Sequence, residues 1–327
     1  MSQLIESYKE KVRKFQKTIV LPEGNDQRVI DAAEMISTDG FAKIIVLGDE
    51  QKVRAMSKNG LPNVKIINPK TSEKLDEYAN YLYELRKAKG MTLEQAKIAL
   101  QDEMYYGVMM VKMGEADGMV GGACHATGDL LRPALQIIKT RPGIKAVSGF
   151  FIMYNPDNKK YPILLFADCA VTPVPTSEEL ADFAICSDLS AKQFLGVDPK
   201  IAMLSFSTKG SAKHDDVTVV AQATRIVKER APEIIVDGEL QFDAAVVPEV
   251  GKIKCPNSPV AGQANVFIFP DLNAGNIGYK IAQRLGNYKA YGPICQGMAK
   301  PVNDLSRGCV ADDIVGVVAM TAVQAME

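Results

Sequence analysis

The sequence predicts an α/β protein made of two three-layer αβα domains, and three observations carry that expectation. Short, continuous β-branched runs alternate with helix-period segments, the pattern of a largely parallel sheet covered on both faces. The alternation breaks around Thr140-Arg141-Pro142-Gly143 and then starts again. The chain has 327 residues, more than the ~250–300 at which single cores stop growing.

In the first series, Thr18-Ile19-Val20-Leu21 reads as a strand, Pro22-Glu23-Gly24-Asn25 as a turn, and the run with Val29, Ile30, Ala33 and Ile36 as an amphipathic helix. Strands follow at residues 43–48 and 64–67. Thr92 with Gln95 gives a capping box ahead of a helix around Ala96 to Leu100. Asp117 to Gly122 reads as a strand ending in glycines, with a helix from about Leu130 to Ile138.

The runs 148–154 and 161–166 flank Asn155-Pro156-Asp157-Asn158, the signature of an antiparallel hairpin. A second series then predicts a helix capped by Thr176 and Glu179, strands at 201–206, 233–236 and 265–269, and helices near 216–230 and 277–285. Long linkers and low-complexity tracts are absent, so close packing with a cleft between the domains is expected.

Composition narrows the function. Lys and Arg number 38 against 39 Asp and Glu, which leaves no basic field to hold nucleic acid or an anionic membrane. No apolar run approaches the ~20 residues that span a bilayer. The N-terminal segment mixes charges of both signs, unlike a secretory signal. The 6 cysteines include no Cys-x-x-Cys and the histidines number 2, so reduced thiols in a cytoplasm and no metal site are expected.

Ligands of open α/β sheets bind beyond the carboxyl ends of strands, where helix N-termini favour anions. Four turns have the composition for this: residues 120–129, 205–211, 269–276 and 305–313. None is a Gly-x-Gly-x-x-Gly fingerprint or a Gly-x-x-x-x-Gly-Lys-Ser/Thr loop. Each alone is also an ordinary turn composition; together they point to a phosphate-bearing ligand.

At this point a family becomes visible. Ala116-Asp117-Gly118-Met119-Val120-Gly121-Gly122 with Thr127-Gly128-Asp129-Leu130-Leu131-Arg132-Pro133, and Phe166-Ala167-Asp168-Cys169-Ala170-Val171, resemble the phosphotransacetylase (phosphate acetyltransferase) family. So do Val236 to Gln241, Phe269 to Asn276, and Pro301-Val302-Asn303-Asp304-Leu305-Ser306-Arg307-Gly308. The likeness runs in order along the whole chain, at the length of the short single-module form.

The resemblance implies reversible acetyl transfer, acetyl-CoA plus phosphate giving acetyl phosphate plus CoA, with CoA as a substrate and no tightly bound cofactor. It also implies an isocitrate/isopropylmalate dehydrogenase-like architecture and a homodimer. The C-terminal segment returns to the first domain, giving domains 1–146 with 303–327, and 147–302.

Such chemistry needs cations for phosphate, donors for a developing oxyanion and a group for the thiol proton. Arginine suits phosphate because its planar fork meets two oxygens and keeps its charge. By resemblance, Arg132, Arg284, Arg307 and Arg86 bind substrate, joined by Thr127, Tyr291 and Cys309. Ser306 is the candidate oxyanion donor, helped by backbone N–H groups beside Gly308; its ordinary alternative is a turn hydroxyl. No base beside Ser306 supports a catalytic triad.

Asp313 matches the family's proposed base for the CoA thiol. Full transfer from a thiol (~8.5) to an ordinary carboxylate (~3.9) is uphill by ~6 kcal/mol, so desolvation must help or the proton must move as sulfur attacks. Asp312 and Asp313 also read as the opening of the C-terminal helix, whose dipole favours carboxylate. Competing readings are a phosphate butyryltransferase-like enzyme, a metal- or NAD(P)-dependent dehydrogenase of related fold, and a regulatory module.

Overall fold

A computed structural model describes residues 2–326. The elements begin with α1 (Gln3–Arg13), β1 (Thr18–Leu21), α2 (Gln27–Asp39), β2 (Lys43–Leu47), α3 (Glu50–Met56), β3 (Lys65–Ile67) and α4 (Leu75–Arg86). Next come α5 (Leu93–Ala99), α6 (Glu103–Met113), β4 (Gly118–Gly121), α7 (Thr127–Ile137), β5 (Ser148–Tyr154), β6 (Ile163–Ala167) and α8 (Ser177–Phe194). The chain continues through β7 (Ile201–Leu204), α9 (Asp215–Arg230), β8 (Val236–Leu240), α10 (Phe242–Val246), α11 (Pro248–Lys254) and β9 (Val266–Ile268). It ends with α12 (Leu272–Arg284), β10 (Lys289–Gln296), β11 (Val302–Asp304) and α13 (Ala311–Gln324).

The contacts divide the chain into two units, one of residues 1–139 with 298–327 and the other of residues 140–297. In unit 1 the strand order is β11-β4-β1-β2-β3, and every pairing is parallel. The sheet has helices on both faces. A Cβ on Gly118 would meet Thr321 of α13 at 2.7 Å, while the next residue, Met119, reaches Gly107 of α6. Adjacent strand residues point to opposite faces, so α13 and α6 lie on opposite sides of β4.

Unit 2 has the order β10-β5-β6-β9-β7-β8. The predicted hairpin is the antiparallel pair β5–β6, β10 adds a second antiparallel edge, and β6, β9, β7 and β8 run parallel. Alternation again separates two helix layers. Phe150 packs its ring on Phe194 of α8 at 5.7 Å, and Phe151 stacks on Tyr279 of α12 at 4.1 Å.

Two expected elements are displaced. The strand expected at 233–236 runs instead over Val236–Leu240. Its centre carries Asp237 and Glu239, which apolar periodicity cannot register. Asp237 is buried against Lys209 and Lys228, and Glu239 accepts from the Ser207 hydroxyl and the Gly210 N–H. The helix expected at 277–285 starts earlier, at Leu272, because Asp271 caps it by accepting from the Ala274 N–H at 2.9 Å.

Candidate active site

The parallel order β11-β4-β1 sets three loops side by side at the carboxyl ends of these strands: residues 22–26, 122–126 and 305–310. From β1 the chain order proceeds one way to β2 and β3, while β4 and β11 lie on the other side. The loops therefore open at the switch point of the sheet, where α/β folds bind ligands.

Two charged residues that sequence reasoning passed over hold these loops. Glu23 is buried, and its carboxylate accepts the N–H groups of Ala123, Cys124 and His125 at 2.7, 2.9 and 3.1 Å. Arg28, in the first turn of α2, is fixed by the Asp26 carboxylate. Its guanidinium donates to the carbonyls of Ala123, Arg307 and Cys309 at 2.7, 2.8 and 2.9 Å. One cation thus clasps all three loops. The only sequence signal was a charged residue just past a strand's carboxyl end.

A second link joins α7 to the last residue of β11, where the loop of residues 305–310 begins. The Thr127 hydroxyl donates to Oδ2 of Asp304 at 2.5 Å. Oδ1 of Asp304 is buried and takes no partner among the described residues. Burial, with the charge of Glu23 adding to it, pushes the Asp304 carboxyl up to about 6; Thr127 and Arg307 oppose the shift. Gly122 makes room for this contact, because a Cβ there would lie 2.2 Å from Oδ1, and its φ of +100° suits glycine.

Helix α7 begins at Thr127, and its N-cap position is Ala126. Alanine has no side-chain acceptor, and while the Asp129 N–H donates back to the Ala126 carbonyl at 2.8 Å, the Thr127 and Gly128 N–H groups are left uncapped for an anion. Arg132 lies exposed on the same helix. Tyr105, whose hydroxyl donates to Gln136 of α7 at 3.1 Å, feels the charge of both Arg132 and Arg86. Nε of Arg86, at the end of α4, is buried and has no partner among the described residues. Thr127, Arg132, Arg86, Ser306, Arg307, Cys309 and Asp313 all belong to unit 1, whereas Arg284 and Tyr291 belong to unit 2.

Ser306, Arg307 and Gly308 are exposed at the tip of their loop. The Gly308 N–H donates to the Ser306 hydroxyl oxygen at 3.3 Å. That N–H is therefore engaged rather than free to help with an oxyanion, while the Ser306 O–H keeps its own proton to donate. Cys309 is buried, its carbonyl tied to Arg28, and burial pushes its thiol up. Asp313 is exposed and accepts the Val310 N–H at 3.0 Å, closing the first turn of α13. In unit 2, Arg284 is the exposed last residue of α12, and Tyr291 pairs with Ile152 across β10 and β5.

Residues 3–322 match the Phosphate acetyl/butaryl transferase family. A Phosphate acetyltransferase of Thermoanaerobacterium thermosaccharolyticum is 55% identical over 98% of this chain and 99% of its own length. A phosphotransacetylase structure from Streptococcus pyogenes is 50% identical, covers 100% of this chain and 99% of its own, and superposes with a TM-score of 0.95. A Salmonella typhimurium structure described as a 4-hydroxythreonine-4-phosphate dehydrogenase, 13% identical over 94% of this chain and 99% of its own with a TM-score of 0.56, shares the fold alone.

Proposed function

The chain belongs to the phosphate acetyl/butaryl transferase family, and from that premise we propose that it is an acyltransferase moving an acetyl group between the sulfur of CoA and inorganic phosphate. The observation that carries this reading is the hydrogen bond from Thr127 to Asp304. It ties the start of α7, with Arg132, to the loop bearing Ser306 and Arg307.

In the direction of acetyl phosphate synthesis, an oxygen of hydrogen phosphate attacks the thioester carbonyl carbon and the C–S bond breaks; the proton the phosphate gives up passes through Asp313 to sulfur, and CoA leaves as its thiol. Arg132, Arg307 and the Thr127 and Gly128 N–H groups at the start of α7 hold the phosphate. The Ser306 hydroxyl donates to the carbonyl oxygen as it gains charge. In reverse, Asp313 takes the thiol proton while sulfur attacks. Asp313 stands exposed and already accepts the Val310 N–H, so bound substrate itself must exclude the water that would otherwise favour carboxylate. Roles for Arg86, Arg284, Tyr291 and Cys309 rest on the family resemblance.

CoA acts as a substrate in a ternary complex, with no acetylated enzyme on the path. No described helix is long and apolar enough to cross a membrane, and we place the enzyme in the cytoplasm. We also propose a homodimer. Ile277 and Ile281 of α12, with Leu285 next to its end, are exposed at four-residue spacing, an apolar stripe suited to a second copy.

The test is release of CoA thiol from acetyl-CoA. Release that requires phosphate, exceeds the rate with butyryl-CoA and leaves no acetyl group on the protein supports the assignment. Equal release without phosphate rejects it, and faster release from butyryl-CoA moves it to the longer-chain activity.

A further inference from the structure

We propose that Glu23, from the loop after β1, and Cys124 and His125, from the loop between β4 and α7, form a binding site for a thiophilic divalent cation of the zinc class. Each residue supplies one ligand atom, and the three atoms lie within 4.8 Å of one another. The Cys124 Sγ is 3.6 Å from Nδ1 of His125 and 3.3 Å from Oε1 of Glu23. The Nδ1–Oε1 distance is 2.8 Å. Tetrahedral zinc bonds of ~2.0–2.3 Å to N, O and S ligands give ligand–ligand edges of ~3.3–3.6 Å. The two edges that involve sulfur are near that length, and the third lengthens by ~0.5 Å once a cation replaces the proton between nitrogen and oxygen.

The hydrogen bonding around Glu23 points the same way. Its Oε1 receives the Cys124 and His125 N–H groups, the thiol and the imidazole, four donors in all. A carboxylate oxygen offers about two lone-pair sites. Backbone donors alone would satisfy a loop staple, so the convergence of a thiol and an imidazole on the same oxygen is surplus to that role. One dication replaces both side-chain protons.

On binding, the S–H bond of Cys124 breaks, its proton goes to solvent and a sulfur–metal bond forms. The imidazole proton moves from Nδ1 to Nε2, which frees the Nδ1 lone pair. Thiolate, carboxylate, neutral imidazole and dication sum to zero charge, and no oxidation state changes. The backbone N–H groups of residues 123–125 already orient the carboxylate, as outer-shell partners do in metal sites. Cys124 is exposed and His125 partly so, which leaves the fourth position to water. Sulfur and imidazole ligands select the zinc class over magnesium or calcium.

The proposal does not depend on the acyl-transfer reading, because binding is measured directly. The full chain, stripped with chelator and kept reduced, is titrated with Co²⁺ and Zn²⁺. The other five cysteines are buried, so a thiolate-to-cobalt charge-transfer band reports on Cys124. We expect one ion per chain, a band reversed by chelator, and no competition from Mg²⁺.

Cys124→Ser should remove the band and weaken Zn²⁺ binding by ~100-fold or more, and His125→Ala should weaken it by at least ~10-fold. Both substitutions sit near the surface, and circular dichroism checks that each variant is folded. Absence of the band in the unmodified chain, its survival in Cys124→Ser, or equal Zn²⁺ affinity in all three proteins overturns the site.

Discussion

Each unit buries a carboxylate at the carboxyl end of a sheet strand, and the two are used differently. In unit 2, Asp168 follows β6 and accepts the N–H groups of Gly149, Ala170, Val171 and Thr172 at 2.9, 2.9, 3.1 and 2.6 Å. Its donors are backbone, and its neighbour Cys169 is buried. In unit 1, Glu23 follows β1 and also organises a loop through backbone N–H groups, but it shares an oxygen with the side chains of Cys124 and His125. The loops around it end in exposed Thr127, Ser306 and Arg307. A carboxylate sealed by backbone donors fixes a shape, whereas one beside exposed hydroxyls and cations fixes a shape and leaves groups free for chemistry.

The sharpest way to break this contrast is to strike the unit 1 loops and look for lost turnover in a stable protein. Asp313→Asn should lower kcat by ~10²–10⁴ while the KM for CoA changes little; near-normal turnover would remove Asp313 from proton transfer. Arg307→Ala should lower kcat/KM by ~10²–10³. Arg307→Lys should recover only part of that loss, because an ammonium lacks the planar fork. Steady-state kinetics check these: CoA-dependent thiol consumption with acetyl phosphate for Asp313→Asn, and thiol release from acetyl-CoA for the Arg307 variants.

The counterpart in unit 2 is Asp168→Ala, which orphans buried N–H groups and should cost on the order of 3 kcal/mol of stability or more, read from urea unfolding. Burial pushes the Asp168 carboxyl up despite its donors. Loss of turnover with unchanged stability in this variant would erase the distinction between the units.

The smallest expected effect concerns Asp304. Its folded pKa, about 6, lies above the ~3.9 of an unfolded aspartate, so the folded state holds the proton longer. The associated stability is full below pH ~4 and is lost as the pH rises through ~6. Asp304→Asn should flatten that decline by at most ~3 kcal/mol, the gap from ~3.9 to about 6 at ~1.36 kcal/mol per pH unit, seen as a smaller difference between unfolding curves at low and neutral pH. An unchanged pH profile would mean that Asp304 is solvated.

The fold was largely legible because strands such as β1 and β2 are short apolar runs and helices such as α2 carry a one-sided stripe. Legibility failed where charge is buried or periodicity is lost. The polar centre of β8 concealed a strand that lysines make tolerable. Helix α6 is buried on nearly every side from Tyr106 to Val111, so it lacks the polar face that marks an amphipathic helix.

In the candidate site, Thr127, Ser306 and Arg307 stood in recognisable strings. Glu23 and Arg28 did not, because their work is done on backbone atoms contributed by loops far away in sequence. The engagement of the Gly308 N–H by Ser306 was equally invisible, since which donor a loop hydroxyl accepts depends on how the backbone folds around it.

The clasp formed by Arg28 reaches carbonyl oxygens at positions 123, 307 and 309. Carbonyls are common to every amino acid, so side chains at those three positions can drift while the guanidinium keeps its grip. Selection can therefore retune what the loops display without dismantling the frame that displays it, and the burden of invariance falls on one arginine.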